Sequence, residues 1–182
     1  MQFSKLILFP AALALLTTTL VTPLIIRLAK KWGFMDDPKR HKHPKVIHSY
    51  PVPRGGGLAI FLGILLASLI FLPIDKHLIC ILVGATIVVI IGLLDDKYNL
   101  NPYLRLAIGF LAASAPIAAG VGIAFISNPT GGIIDLSQLQ LNINLFGQER
   151  SIWILSDVFA LIWITFMMNM LNMGAKGVDG QL

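Results

Sequence analysis

Five uninterrupted apolar runs constrain this chain more than any other feature. They lie at about 6–26, 57–74, 78–94, 106–126 and 154–173, each 17 to 21 residues long. At 1.5 Å per residue such a helix is long enough to cross a hydrocarbon core of about 30 Å. Only helices and closed barrels satisfy their backbone groups in lipid, and these runs are continuous rather than alternating. The composition agrees: 56% of the residues are hydrophobic, 13% are charged and the mean hydropathy is +0.80. The expectation is an all-α integral membrane protein, a polytopic bundle of about five transmembrane helices forming one domain over 1–182. The first run is longer than the apolar core of a signal peptide and continues into "IIRLAKKWG", which reads as a cytosolic flank. Cys80, the single cysteine, lies inside an apolar run, which excludes a disulfide framework or a thiolate metal site.

Charge placement sets the expected orientation. Arg27, Lys30, Lys31, Lys39, Arg40, Lys42, Lys45 and Arg54 all fall between runs one and two. With Lys97, Arg105 and Lys176 they make eleven of the fourteen Lys and Arg residues on one side. The positive-inside rule puts that side in the cytosol and the N-terminus outside. A topology signal and attraction to anionic headgroups account for clustered charge. They do not account for "DDPKRHKHPKVIHSYPVPRGGG", where prolines and glycines fix a loop shape. A nucleic-acid role for these charges has little support in a five-span chain.

Four helix ends then meet the cytosol. Runs two and four begin there and present free N–H groups and the positive dipole end. Arg54-Gly55-Gly56-Gly57 precedes run two and Arg105 stands at the mouth of run four. An arginine beside a glycine-rich helix N-terminus suits phosphate, although glycines equally allow close helix packing. Run three ends there with Asp95 and Asp96. Paired carboxylates favour a hard cation, and Mg²⁺ typically takes one or two carboxylates plus substrate phosphates. In run five Thr165, Asn169 and Asn172 share one helical face, a costly arrangement against lipid, so that face points into the bundle. Interhelical hydrogen bonding explains the same residues, as turn chemistry explains Asp179 in Gly-Val-Asp-Gly. Asp157, about one turn inside the opposite end of run five, reads as a capping or snorkelling carboxylate. Between runs four and five, "LSQLQLNINLFG" alternates apolar and polar residues, the pattern of a short β-hairpin on the outer face.

Three segments, "GFMDDPKRHKHPKVIHSYPVPRGGGLAI", "GLLDDKYNLNPYLRL" and "NMLNMGAKGVDGQL", carry a resemblance. In this order the chain resembles the N-terminal portion of the polyprenyl-phosphate N-acetylhexosamine-1-phosphate transferases (glycosyltransferase family 4). That family includes the undecaprenyl-phosphate GlcNAc-1-phosphate transferases and the phospho-MurNAc-pentapeptide transferase. The form "PVPRGGG" is more similar to the GlcNAc-type branch. The resemblance implies a reaction in the bacterial plasma membrane. A polyprenyl phosphate attacks the β-phosphate of a UDP-N-acetylhexosamine, with Mg²⁺ (or Mn²⁺) bridging the diphosphate, and UMP leaves. It implies Asp95 and Asp96 as the essential acidic pair, with separate roles left open, and Asn172 as a metal or diphosphate contact. Lys45, His48, Arg54, Gly56, Gly57, Arg105 and Asn169 are implied on the substrate side, with Asp179 near the base of the nucleotide. Arg105 stands where the family usually has Lys.

Two departures accompany the resemblance. After Asn172, "NMGAKGVDG" has one extra residue and lacks the first acid of the family pattern, with Ala175 or Lys176 in its place. The sequence also ends at Leu182, whereas the family continues through several more spans that carry another metal-binding acid and a His-rich loop. An inactive fragment or accessory subunit is therefore one alternative. An ion-coupled transporter is another, which the one-sided clustering of polar residues disfavours. A homodimer is compatible with all three readings.

Overall fold

The computed structural model describes residues 4–36, 50–145 and 148–175. A π-helical turn (Ser4–Leu8) leads into α1 (Phe9–Trp32), followed by the two-residue strands β1 (Met35–Asp36) and β2 (Val52–Pro53). Then come α2 (Gly56–Phe71), α3 (Lys76–Tyr98) and α4 (Pro102–Ala118). Four strands follow, β3 (Phe125–Ser127), β4 (Ile133–Asp135), β5 (Gln140–Leu145) and β6 (Gln148–Trp153), and α5 (Ile154–Ala175) closes the order. Among the described residues three stretches are long and apolar enough to cross a membrane: Leu6–Trp32, Lys76–Tyr98 and Ile154–Leu171, with mean hydropathies of 1.9, 2.8 and 1.8.

The other two apolar runs give shorter helices, of 16 residues in α2 and 17 in α4. Local chemistry sets their ends. Pro73 follows the extended C-cap Leu72, and Asp75 opens the next helix by accepting the Leu78 N–H at 2.8 Å, so run two stops at Phe71. Run four starts earlier than its apolar residues do, because Asn101 accepts the Tyr103 N–H at 2.9 Å and Pro102 occupies the first turn. It also ends earlier. Pro116 and the left-handed Gly120 stop the helix, and the apolar residues after it enter β3. α1 instead runs past its apolar stretch through Lys30 and Lys31 to Gly33, a left-handed C-cap.

The helices pack through their smallest residues. Ala59, Ala67, Ala112, Ala113 and Ala160 are buried, while Leu15, Leu20, Leu111 and Leu171 stay largely exposed. This inversion suits a lipid-facing surface, where close backbone approach replaces the hydrophobic drive. α1 and α2 meet at Gly63, where a Cβ would run into Thr18 and the Ala14 carbonyl. The Thr18 hydroxyl donates across this contact to the Ala59 carbonyl at 3.3 Å. α3 and α4 meet at Gly84, where a Cβ would lie 2.6 Å from the Ala112 carbonyl oxygen. α5 packs on α4, with Gly109 beside Thr165 and Met168, while Gly122 beyond α4 abuts Ser156 and Asp157. α5 thus runs antiparallel to α4, and its C-terminal turn heads toward the end that holds Asp95.

The strands form three antiparallel pairs. β1–β2 pairs Met35 with Pro53 and Asp36 with Val52, which ties the end of α1 to the start of α2. β3–β4 and β5–β6 lie between α4 and α5, at the end remote from Asp95. The alternating segment supplies β5, which pairs with β6 from Gln140–Trp153 to Leu145–Gln148. The β3–β4 pair, closed by Gly131 and Gly132 in positive-φ conformations, was not expected from the sequence.

Candidate functional site

One end of the bundle gathers the C-termini of α1 and α3 and the N-termini of α2 and α4. The α3–α4 turn is built around Asp95. Its carbonyl accepts the N–H of Asn99, a left-handed C-cap, at 2.8 Å. Its carboxylate takes the Leu100 N–H on Oδ1 at 3.0 Å and Arg105 Nη1 on Oδ2 at 2.9 Å. Both side chains of this ion pair are about four-fifths buried, at 21% exposure for Arg105 and 17% for Asp95. Two adjacent carboxylates at a helix C-terminus face the negative dipole end, and Arg105 offsets that field. Arg105 Nε is buried and has no partner among the described residues, so the guanidinium keeps an unused donor beside the acid pair.

Arg54 joins the same cluster. Its backbone N–H donates to the Phe34 carbonyl at 2.9 Å, and its Nη1 reaches the carbonyl oxygen of Asp96 at 3.3 Å. This brings the glycine-rich start of α2 to the end of α3, where Gly55 also lies against Leu93. Gly55 is the N-cap of α2 in a left-handed conformation, and no side chain caps that helix among the described residues. Space around Gly56 and Gly57 is open, since a Cβ on either would meet nothing within 4 Å. The first N–H groups of α2 are therefore accessible to an anion.

Sequence reasoning missed Lys97. Its Nζ lies 5.4 Å from the Phe34 ring centroid and 5.2 Å from that of Tyr98, a cation–π arrangement that packs the loop after α1 on the end of α3. Trp32 completes the group, edge-on to Phe34 at 6.3 Å. The available signal was the neighbouring pair "KY" after the acids, but the partner Phe34 is remote in sequence.

On α5 the Thr165 side chain is 2% exposed, against Gly109 of α4, so this face points into the bundle. Thr165 Oγ1 has no partner among the described residues. Asn169 Nδ2 donates to the Thr165 carbonyl at 2.8 Å, within its own helix. Asn172 lies in the last turn of α5 and is described for its backbone alone. Lys45, His48 and Asp179 lie outside the described residues.

The donor chemistry of the cluster decides whether it fits a divalent cation. Among the described residues no group of three or more His, Cys, Asp or Glu converges. The protein's own contribution at this end is thus one or two hard carboxylates, the number Mg²⁺ uses when substrate phosphates complete its shell. The unused Arg105 donor beside them suits the same phosphates.

Residues 78–182, more than half of the chain, match the family described as glycosyl transferase family 4. The chain is 32% identical over 171 residues to a probable undecaprenyl-phosphate N-acetylglucosaminyl 1-phosphate transferase of Bacillus subtilis, covering 92% of this chain and 41% of that protein. It is 30% identical over 129 residues to a decaprenyl-phosphate N-acetylglucosaminephosphotransferase of Mycobacterium tuberculosis, covering 66% of this chain and 31% of the relative. An undecaprenyl-phosphate alpha-N-acetylglucosaminyl 1-phosphate transferase of Yersinia pestis matches at 27% over 137 residues, covering 69% of this chain and 36% of the relative. The chain therefore spans less than half the length of these curated relatives. No solved structure matches it.

Proposed function

Because the chain belongs to glycosyl transferase family 4, we propose that it transfers N-acetylglucosamine 1-phosphate from UDP-N-acetylglucosamine to a membrane polyprenyl phosphate at the cytosolic face. The observation that carries this reading is the convergence of Asp95 and Asp96 with Arg54 and Arg105 at one end of the bundle. In the reaction a phosphate oxygen of the polyprenyl phosphate bonds to the β-phosphorus of the donor. The bond from that phosphorus to the bridging oxygen breaks, and UMP leaves with the electron pair.

In this scheme Arg105 offers its unused donor to the donor's diphosphate, and the α2 N-terminus at Gly56 and Gly57 receives a second anionic group. Arg54 keeps that N-terminus against the acid pair. Asp96 supplies a hard oxygen to the cation, and Asn172 on α5 supplies a neutral one. Mg²⁺, when bound, offsets the charge that builds on the transferring phosphoryl group. Lys45 and His48 are assigned to the acceptor phosphate, Asn169 to the donor sugar-phosphate and Asp179 to the base. The site so defined works in the bacterial plasma membrane, between a UDP-sugar from the cytosol and a lipid acceptor in the bilayer.

The test is incorporation of radiolabelled sugar from UDP-N-acetylglucosamine into the lipid extract of vesicles that contain undecaprenyl phosphate and this protein. Label that enters the lipid with Mg²⁺, disappears with EDTA and returns on Mg²⁺ addition supports the reading. Label that never leaves the aqueous phase, in vesicles that hold folded protein, overturns it.

A further inference from the structure

We infer that Asp95 is a positioning residue that acts through Arg105, and that the metal contact of the site does not pass through its carboxylate; this rests on the reading above. Three hydrogen bonds converge on Asp95. The backbone carbonyl takes Asn99 N–H, Oδ1 takes Leu100 N–H and Oδ2 takes Arg105 Nη1. Together they span the whole α3–α4 turn, from the last turn of one helix to the first turn of the next. The carboxylate is 17% exposed, and its charge is already met by a guanidinium 2.9 Å away. A dication ligated by either oxygen would stand within a few ångström of that guanidinium, inside a poorly solvated cluster where like charges repel strongly.

What Asp95 does accomplish is to aim Arg105. A long arginine side chain loses rotamer freedom when it is held, and that cost falls before substrate arrives if a carboxylate holds it already. The hold uses Nη1 and leaves Nε without a partner among the described residues. Arg105 is thus fixed at one donor, while a second, Nε, is buried and unsatisfied among the described residues, so an anionic oxygen that reached it would relieve its desolvation. Asp95→Asn separates the two roles. The amide oxygen can still accept the Leu100 N–H, but the NH₂ group then faces the Arg105 donor, and the guanidinium is released.

The experiment uses the protein in lipid nanodiscs with Mn²⁺ as the probe, free Mn²⁺ being read by its electron paramagnetic resonance signal. Kinetics with UDP-N-acetylglucosamine and undecaprenyl phosphate run in parallel. Positioning predicts that Asp95→Asn leaves Mn²⁺ affinity within about threefold, against the roughly tenfold or greater loss expected when a ligand or its direct support is removed. It predicts that Asp95→Asn and Arg105→Ala each raise KM for the UDP-sugar more than they lower kcat. The double variant should lie within about twofold of Arg105→Ala alone, because the two residues act as one unit. Arg105→Lys should recover part of the loss. A tenfold or larger fall in Mn²⁺ affinity in Asp95→Asn (about the size expected for a lost ligand), or losses that multiply in the double variant, overturns the inference. If Asp95→Asn does not fold, Arg105→Ala alone decides. An unchanged KM for the UDP-sugar overturns the inference, and a raised KM with intact Mn²⁺ affinity supports it. Wild-type protein that binds Mn²⁺ yet releases no UMP defeats the proposed reaction instead, so the two failures are distinguishable.

Discussion

The α3–α4 contact that frames the site rests on Gly84, and a single methyl group tests it. A Cβ at this position would lie 2.6 Å from the Ala112 carbonyl oxygen and 3.4 Å from Pro116 Cδ. Carbon rarely sits closer than about 3.3 Å to a carbonyl oxygen, so Gly84→Ala must push the helices apart by about 0.7 Å there. The nearest obstacle is backbone and cannot rotate away. Overpacking of this kind costs about 1–3 kcal/mol. Gly92→Ala is the matched control, in the same helix, where the new Cβ would meet nothing within 4 Å. Both substitutions gain helix propensity of up to about 1 kcal/mol, so the difference between them isolates the clash. At about 2–4 °C per kcal/mol for a chain of this size, Gly84→Ala should melt about 2–12 °C below Gly92→Ala. Apparent Tm by fluorescence-detected size exclusion, in one detergent, reads this directly. Gly84 lies about 16 Å along the helix from Asp95, so transfer activity below the melting temperature should survive. Equal Tm values for the two variants would refute the packing argument.

Other consequences follow from single bonds. Asn101→Ala removes the acceptor for the Tyr103 N–H and should cost about 1 kcal/mol, seen as a lower Tm and faster hydrogen exchange in the first turn of α4. Thr18→Val removes a long interhelical bond of 3.3 Å to the Ala59 carbonyl while keeping side-chain volume; the loss should stay below about 1 kcal/mol. At the other end of α3, the Leu78 N–H, then His77, hold the Asp75 carboxyl below its ordinary 3.8. The sign follows from that depression. The cap is in force above pH 3.8 and is lost as pH falls through the lower folded value, so protection of the Leu78 amide, measured against its intrinsic exchange rate at each pH, should drop only in that acid window.

The sequence carried the helices well and their ends less well. Long apolar runs located the five α-helices of the described residues, because length and continuity are signals that neighbours in space do not alter. The ends at Phe71 and Ala118 depended on Pro73 with Asp75 and on Pro116 with Gly120, punctuation that an apolar count passes over. Two of the helices are consequently shorter than their runs. Of the site, Arg54, Asp95, Asp96 and Arg105 do meet at one end. Charge counting could not show that Arg105 binds Asp95, because a pair ten residues apart meets only once the Asn99–Asn101 turn has folded back. Arg54 reads from the sequence as a phosphate-binding residue, and in the fold it also braces the Asp96 carbonyl. Lys97 carried only the weak signal of its neighbour Tyr98, since the other ring it covers, Phe34, comes from the loop after α1.

The most direct test of the account is the fate of the donor's β-phosphate. UDP-N-acetylglucosamine labelled at that phosphorus is incubated with the protein, Mg²⁺ and undecaprenyl phosphate, and lipid and nucleotide are separated. Sugar-1-phosphate transfer predicts that the label enters the lipid diphosphate while unlabelled UMP accumulates in equal amount, and that Asp96→Asn abolishes both. Label that stays in UDP while the sugar alone reaches the lipid would contradict it.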